Sequence, residues 1–207
     1  MFRDLVTTEA QLRELMGDAS PGSLKKETTY IYGEAQRFIE SSPIVLLATA
    51  GTDGRCDVAP KGDPNGFVRV LDEKHLLIPD RPGNKRFDGL RNIMENPQIG
   101  LLFLVPGRTE TVRVNGRAWI TRDQELLDTM QVQGKSPWFA LGIEVQECFM
   151  HCAKALLRSK LWQPETWPDL DAVPTGAELY MSAVNPIDET IATVEARLAE
   201  SYRTKMY

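Results

Sequence analysis

Cysteine is scarce in this 207-residue chain. Cys56, Cys148 and Cys152 are too few for the dense crosslink framework of a small secreted domain, and being three they cannot all pair with one another. Histidine is scarcer still, with only His75 and His151. The stretch "CFMHC" brings Cys148, His151 and Cys152 together, but a tetrahedral metal site needs a fourth ligand. Cys56 is remote in sequence and His75 falls in an expected strand, so no metal is expected. A hydrolytic triad would have to use one of the two histidines, and neither adjoins a nucleophile elbow. Both common nucleotide devices, G-x-G-x-x-G and G-x-x-x-x-G-K, are missing. There is no excess of positive charge: 24 Lys and Arg face 29 Asp and Glu, a net charge of -5 that gives no general attraction for nucleic acid or an anionic membrane. No segment approaches the roughly 18 apolar residues of a membrane span. The opening "MFRDLVTTEAQLRELMG" lacks the uninterrupted apolar core of a signal peptide, and a cytoplasmic protein is expected.

What is present is ordinary globular composition, 42% hydrophobic and 26% charged, in a length that suits one substantial domain. Thr8 is placed to cap a first helix, with Gln11 reaching back to it. Ser23 is expected to cap a second, carrying Leu24, Ile31, Ala35, Phe38 and Ile39 on one face and stopping at Ser42-Pro43. "IVLLATA" and "CDVAP" read as a hairpin, "FVRVLD" and "HLLIP" as another pair. A helix is expected to start near Asn84, with Phe87, Leu90 and Ile93 on one face, and to stop at Asn96-Pro97. "IGLLFLVPG" and "ETVRVNGRAWITR" read as two long strands, with a shift of period at Asn115-Gly116 that marks a bulge. A short helix from Asp123 to about Val132, the strand "WFALGIEVQECF" and a helix over "HCAKALLRSKLW" follow. "LWQPETWPDLDAVPTG" is a Pro-rich connection, and Ile187, Ile191, Val194, Leu198 and Tyr202 space out an amphipathic tail helix. Strands that arrive mostly as hairpins suit an antiparallel barrel with peripheral helices, helical extensions covering 1–41 and 151–207.

One stretch calls for a ligand. "IPDRPGNKRFDGL" sets Arg81, Lys85 and Arg86 around a Pro-Gly turn, and places two of them where a helix begins. Acidic residues are the usual choice at that positive end, so an anion is expected in front of it. Exposed turn amides and three cations suffice chemically for a phosphate. The competing reading is that Asp80 and Asp88 neutralise these cations on a solvated face. A second stripe, Lys154, Arg158 and Trp162 at successive helical turns, suits a flat anionic ligand or, alternatively, a surface stripe with Trp162 packed inward.

The order of hairpin, "PKGD", "IPDRPGNKRFDGLRNIMENPQIGLLFLVPG" and "TVRVNGRA", over Ile44 to Ile120, resembles the FMN-binding split-barrel family typified by pyridoxamine 5'-phosphate oxidase; "HCAKALLRSKLW" resembles a signature of one FMN-dependent branch. The resemblance implies a six-stranded antiparallel split β-barrel, mainly β with peripheral α, that forms a homodimer and binds FMN between protomers. It implies that Lys85 and Arg86, with Asn84 beside them, hold the FMN phosphate. Ile78, Pro79 and Asp80 would meet the isoalloxazine edge through their backbone, Lys61 would face the same groove, and Thr111 would reach the flavin or phosphate. Lys154, Arg158 and Trp162 would come from the partner subunit. The implied function is an FMN-dependent oxidoreductase, taking a hydride from a nicotinamide donor or small reduced substrate, with no catalytic side chain required because the flavin carries the chemistry. The alternatives are a non-catalytic flavin- or haem-binding carrier and a deazaflavin-dependent reductase. The substrate-binding arginine pattern near the oxidase's carboxy terminus has no match in "YRTKMY", so vitamin B6 is not the expected substrate.

Overall fold

A computed structural model of the chain describes residues 2–207. Seven strands, β1 (Ile44–Ala50), β2 (Cys56–Gly62), β3 (Arg69–Val70), β4 (His75–Pro79), β5 (Gln98–Leu104), β6 (Thr111–Thr121) and β7 (Ala140–His151), form one antiparallel sheet in the order β2-β1-β5-β6-β7-β4-β3. Among the described residues there are eight α-helices: α1 (Glu9–Met16), α2 (Pro21–Lys25), α3 (Gly33–Glu40), α4 (Asp88–Glu95), α5 (Gln124–Asp128), α6 (Lys154–Ser159), α7 (Gly176–Val184) and α8 (Ile191–Thr204). The six-stranded barrel expected from the sequence is therefore corrected to a seven-stranded sheet that does not close. Its edges are β2 and the two-residue β3, and no pairing joins them.

Side-chain alternation explains which face became the core. On β1, Val45, Leu47 and Thr49 point inward and are buried, and on β5 Ile99, Leu101 and Phe103 do the same. On β7 the buried set runs Leu141, Ile143, Val145 and then jumps a step to Cys148, so its phase changes once. The change is the bulge: Asn115 pairs with Glu147 and Gly116 with Val145, leaving Gln146 as the extra residue. The bend packs the two backbones together so closely that a Cβ on Gly116 would lie 2.0 Å from the Glu144 carbonyl oxygen. Glycine is required there by space. The two longest strands can thus wrap the core while keeping their apolar residues on one side of it.

Several local expectations are revised. Ser20, not Ser23, caps α2, its Oγ accepting from the Ser23 amide at 3.2 Å. The helix expected from Ser23 to Ser42 breaks because Thr28 forms a bridge to Cys148, its amide donating to the Cys148 carbonyl at 3.0 Å, and α3 starts only at Gly33. β-branched Thr28 and Thr29 favour that extended link. His151 belongs to β7, paired with Thr111, so α6 begins later than expected, at Lys154. The expected tail helix is α8, on which Val194 is buried and Leu198 half-buried, whereas Ile187, 98% exposed, precedes the helix and Ile191 and Tyr202 are exposed. α7, not expected from the sequence, packs against α8 and is capped by Thr175 with Glu178 reaching back. The expectations for α1, the two hairpins, the long β5/β6 pair and the bulge agree with the structure.

Candidate functional site

The segment after β4 does not enter a helix where the sequence reading placed one. Lys85 and Phe87 have φ of 60° and 61°, the left-handed region, and Phe87 is the N-cap of α4. Two non-glycine residues in that region cost about 1 kcal/mol or more each, and such strain persists where the surrounding structure imposes it. The Asn84 side chain helps impose it, its Oδ1 accepting from the Arg86 amide at 3.0 Å. Lys85 and Arg86 therefore stand in a loop just ahead of α4. Phe87 supplies no side-chain cap, so the positive end of α4 faces that loop without one.

What fixes the loop from below is a polar clamp on α4. Asn92 Nδ2 donates to Thr49 Oγ1 at 3.1 Å and to Asp57 Oδ2 at 2.8 Å, tying the helix to β1 and β2. Gly89 lets the first turn approach β1, where a Cβ would meet Thr49 Oγ1 at 3.4 Å.

The charges around the loop are unequally committed. Lys61 is ion-paired with Asp80. Arg81 donates from Nε to Asp63 at 2.6 Å and from Nη2 to the Met130 carbonyl at 2.8 Å, so its charge is spent inside the protein. Arg86 Nε donates to Asp88 at 2.7 Å, which also receives Arg91 at 2.6 Å. The Arg86 hydrogen bond, then that of Arg91, holds the Asp88 carboxyl below its usual range, and Asp88 in turn pushes the Arg86 guanidinium up. Both side chains reach solvent, where such a pair is worth little and exchanges readily. Lys85 has no carboxylate partner among the described residues. Of the three cations in "DRPGNKR" it is the one left without a carboxylate among the described residues.

Two cavities meet at this loop. One, about 370 Å³, is lined by Leu47, Ala59, Lys61, Asp80 and Asn84 through Leu90. The other, about 580 Å³, is lined by the 80–83 segment, Lys85, Phe87, the 135–139 segment and Tyr207. Ile78 lines neither, being wholly buried in the core, and neither does Pro79. β3 pairs with β4 only as far as Leu77, so among the described residues no strand lies beside Ile78 and Pro79 on that edge.

The remaining expected site residues lie elsewhere. Pro79 pairs with Ala140 at the start of β7, whereas Thr111 pairs with His151 at its end. The 12 residues of β7 separate the two groups by roughly 35 Å of strand, at about 3.3 Å per residue. Lys154 and Arg158 follow on α6, exposed, and Trp162 lies beyond that helix, its Nε1 donating to the Arg108 carbonyl at 2.6 Å. One chain thus gathers Lys61, Asp80, Asn84, Lys85 and Arg86 at one end and Thr111, Lys154, Arg158 and Trp162 at the other. Asp63, Trp138, Phe139 and Tyr207 were not singled out in the sequence. Only Asp63, in the turn-forming "GDPNG", carried a local signal there.

The chain is similar to known proteins over part of its length. The family model of pyridoxamine 5'-phosphate oxidase matches residues 31–152. Among solved structures, HupZ of Group A Streptococcus aligns at 22% identity over 58% of this chain and 93% of its own, with a TM-score of 0.47. An FMN-binding protein from Syntrophomonas wolfei aligns at 13% identity over 69% and 93% respectively, with a TM-score of 0.44. HutZ, a haem storage protein from Vibrio cholerae, aligns at 16% over 58% and 93%, with a TM-score of 0.39. No curated protein matches the chain. No helix among the described residues is long and apolar enough to cross a membrane.

Proposed function

The chain belongs to the pyridoxamine 5'-phosphate oxidase family, and from that membership we propose that it is an FMN-dependent oxidoreductase whose cofactor phosphate sits on Lys85 and Arg86. The observation that carries this reading is Lys85: a cation without a carboxylate partner, held in a left-handed conformation beside the uncapped positive end of α4. The residues fit a phosphate. Arg86 can leave Asp88 for it, because Asp88 keeps Arg91, and Asn84 fixes the backbone between the two cations. The flavin ring is assigned to the smaller cavity, along Lys61 and Asp80, with the open edge of β4 at Ile78 and Pro79 beside it. Their ion pair keeps the Lys61 ammonium at that wall without leaving a buried charge unpaired. When bound, FMN supplies the hydride and electron chemistry, and a nicotinamide is the donor class expected. This chain's residues bind, orient and shield.

The working form is a homodimer in this reading. The face of β1 and β5 turned away from the core carries Ile44, Leu46, Leu102 and Leu104, all half-buried, and Val58 on the neighbouring β2 is 67% exposed. Such an apolar face on an open sheet suits a partner surface. A second chain would also bring Thr111, Lys154, Arg158 and Trp162 to a site that one chain leaves about a strand's length away.

The test is a spectrum and a pair of substitutions. The purified protein is expected to be yellow with two visible flavin bands, where haem would give a Soret band and deazaflavin a single violet band. Lys85→Ala with Arg86→Ala removes two charge-assisted contacts worth about 1.5 to 3 kcal/mol each. FMN affinity should therefore fall roughly a hundredfold or more, with the fold intact by circular dichroism. A double variant that keeps wild-type affinity overturns the assignment. Sedimentation over a dilution series tests the dimer: FMN should hold it together at lower protein concentration than the apo form tolerates. A monomer with full FMN affinity overturns the shared site.

A further inference from the structure

The larger cavity at the phosphate loop is not needed for the flavin as assigned above, and its walls have a definite chemistry. Its apolar lining comes from Phe87, Pro137, Trp138, Phe139 and Tyr207. Phe87 is 50% and Trp138 74% exposed, so aromatic faces stand open to solvent on two separate segments of one cavity. At about 580 Å³ it has the size of a small-molecule site, which falls at roughly 300 to 1,000 Å³.

The polar groups at its rim are already engaged. Asp80 holds Lys61, Arg81 holds Asp63 and the Met130 carbonyl, and Lys135 Nζ donates to the main-chain oxygen of Tyr207 at 3.0 Å. Lys85 is committed to the cofactor phosphate if the proposed function holds, and on that point the inference rests on it. What remains unused is aromatic surface. A charged ligand would lose its hydration against these walls and find no unpaired counter-ion, whereas a flat uncharged ring would stack on them at little polar cost.

The wall at Tyr207 is fixed rather than incidental. Its hydroxyl donates to Asp63 Oδ1 at 2.7 Å, its ring lies 5.6 Å from the Arg81 guanidinium, and Lys135 holds its main-chain oxygen. Three contacts from separate parts of the chain keep this ring in the cavity wall. We propose that the cavity between Phe87, Trp138 and Tyr207 binds an uncharged planar aromatic compound, as a site distinct from the flavin pocket and sharing with it only the 80–87 segment.

The experiment uses two fluorescent probes with the same ring system, neutral N-phenyl-1-naphthylamine and anionic 1-anilinonaphthalene-8-sulfonate. Each is titrated against the full chain with and without saturating FMN. With FMN saturating, so that Lys85 is engaged, the neutral probe should bind at a single site per chain and at least tenfold more tightly than the sulfonate; without FMN, Lys85 offers the sulfonate a partner and that preference should narrow. FMN should leave it bound. Trp138→Ala, a change at an exposed side chain that the core does not need, should weaken the neutral probe about tenfold and leave FMN affinity within twofold. Arg86→Gln, which lines only the smaller cavity, should do the reverse. Preference for the sulfonate with FMN bound, displacement of the probe by FMN, or indifference to Trp138→Ala would each overturn the inference. Loss of FMN binding alone would overturn the cofactor assignment, because the probe is read without flavin.

Discussion

Arg81 lies in the loop between β4 and α4 yet turns its charge inward, its Nε 2.6 Å from Oδ2 of Asp63, in a pair whose side chains are 15% and 1% exposed. Asp63 also accepts the Tyr207 hydroxyl at 2.7 Å. The carboxylate therefore fastens the loop and the far wall of the larger cavity to the turn after β2. That hydrogen bond, followed by burial, pushes the Tyr207 phenol above its ordinary value. Removing one partner of a buried ion pair leaves the other charge uncompensated, which costs about 3 to 5 kcal/mol. Asp63→Asn keeps the shape and should destabilise the protein by about 3 kcal/mol. Urea denaturation checks this, and a change below about 1 kcal/mol would place the pair among ordinary surface contacts.

How far the sequence carried these conclusions depends on the range of the signals. The short apolar runs "IVLLATA" and "IGLLFLV" and the break at Asn115-Gly116 are local, and they located β1, β5 and the bulge. The helix expected from Ser23 failed because Thr28 is held by Cys148, 120 residues away. The start of α4 was misplaced because left-handed Lys85 and Phe87 carry no glycine to announce them. The basic pair stands out in the sequence as a candidate anion site, and the resemblance supplies FMN phosphate as the proposed anion. The commitment of Arg81 to Asp63 was not legible, since both carboxylates and cations are plentiful around it. Nor was Tyr207, whose role depends on where the chain returns after two further helices.

Asp88 competes with the proposed phosphate for Arg86. Its carboxylate also stands in the first turn of α4, close to where the anion would sit. Asp88→Asn keeps a polar residue there, releases Arg86 and removes like-charge repulsion. FMN should bind the variant more tightly, by roughly two- to fivefold, about the value of one exposed charge contact. Fluorescence quenching of FMN on titration with protein measures it. Weaker binding would mean that Asp88 orients Arg86 rather than occupying it.

His151 gives the stability a pH dependence whose sign follows from its surroundings. Its ring lies 5.0 Å from that of Phe149, and Phe149 is also covered by the Arg113 guanidinium at 4.1 Å and the Lys26 ammonium at 5.5 Å. Burial first, then the charges of Arg113 and Lys26, hold the His151 pKa below its ordinary 6.5, with Glu147 opposing them. In the unfolded chain the histidine takes up its proton near 6.5, while in the folded protein it does so only at lower pH. The unfolded state therefore binds more protons in the window below 6.5, and stability falls as the pH drops through it. Above 6.5 both states are neutral and the effect is gone. His151→Gln removes the titration, so its urea midpoint should change less between about pH 7.5 and about pH 5 than that of the wild type. Equal acid sensitivity in the two proteins would assign the effect to other groups. A steeper fall in the variant would reverse the sign and mean that Glu147 outweighs the two cations at this ring.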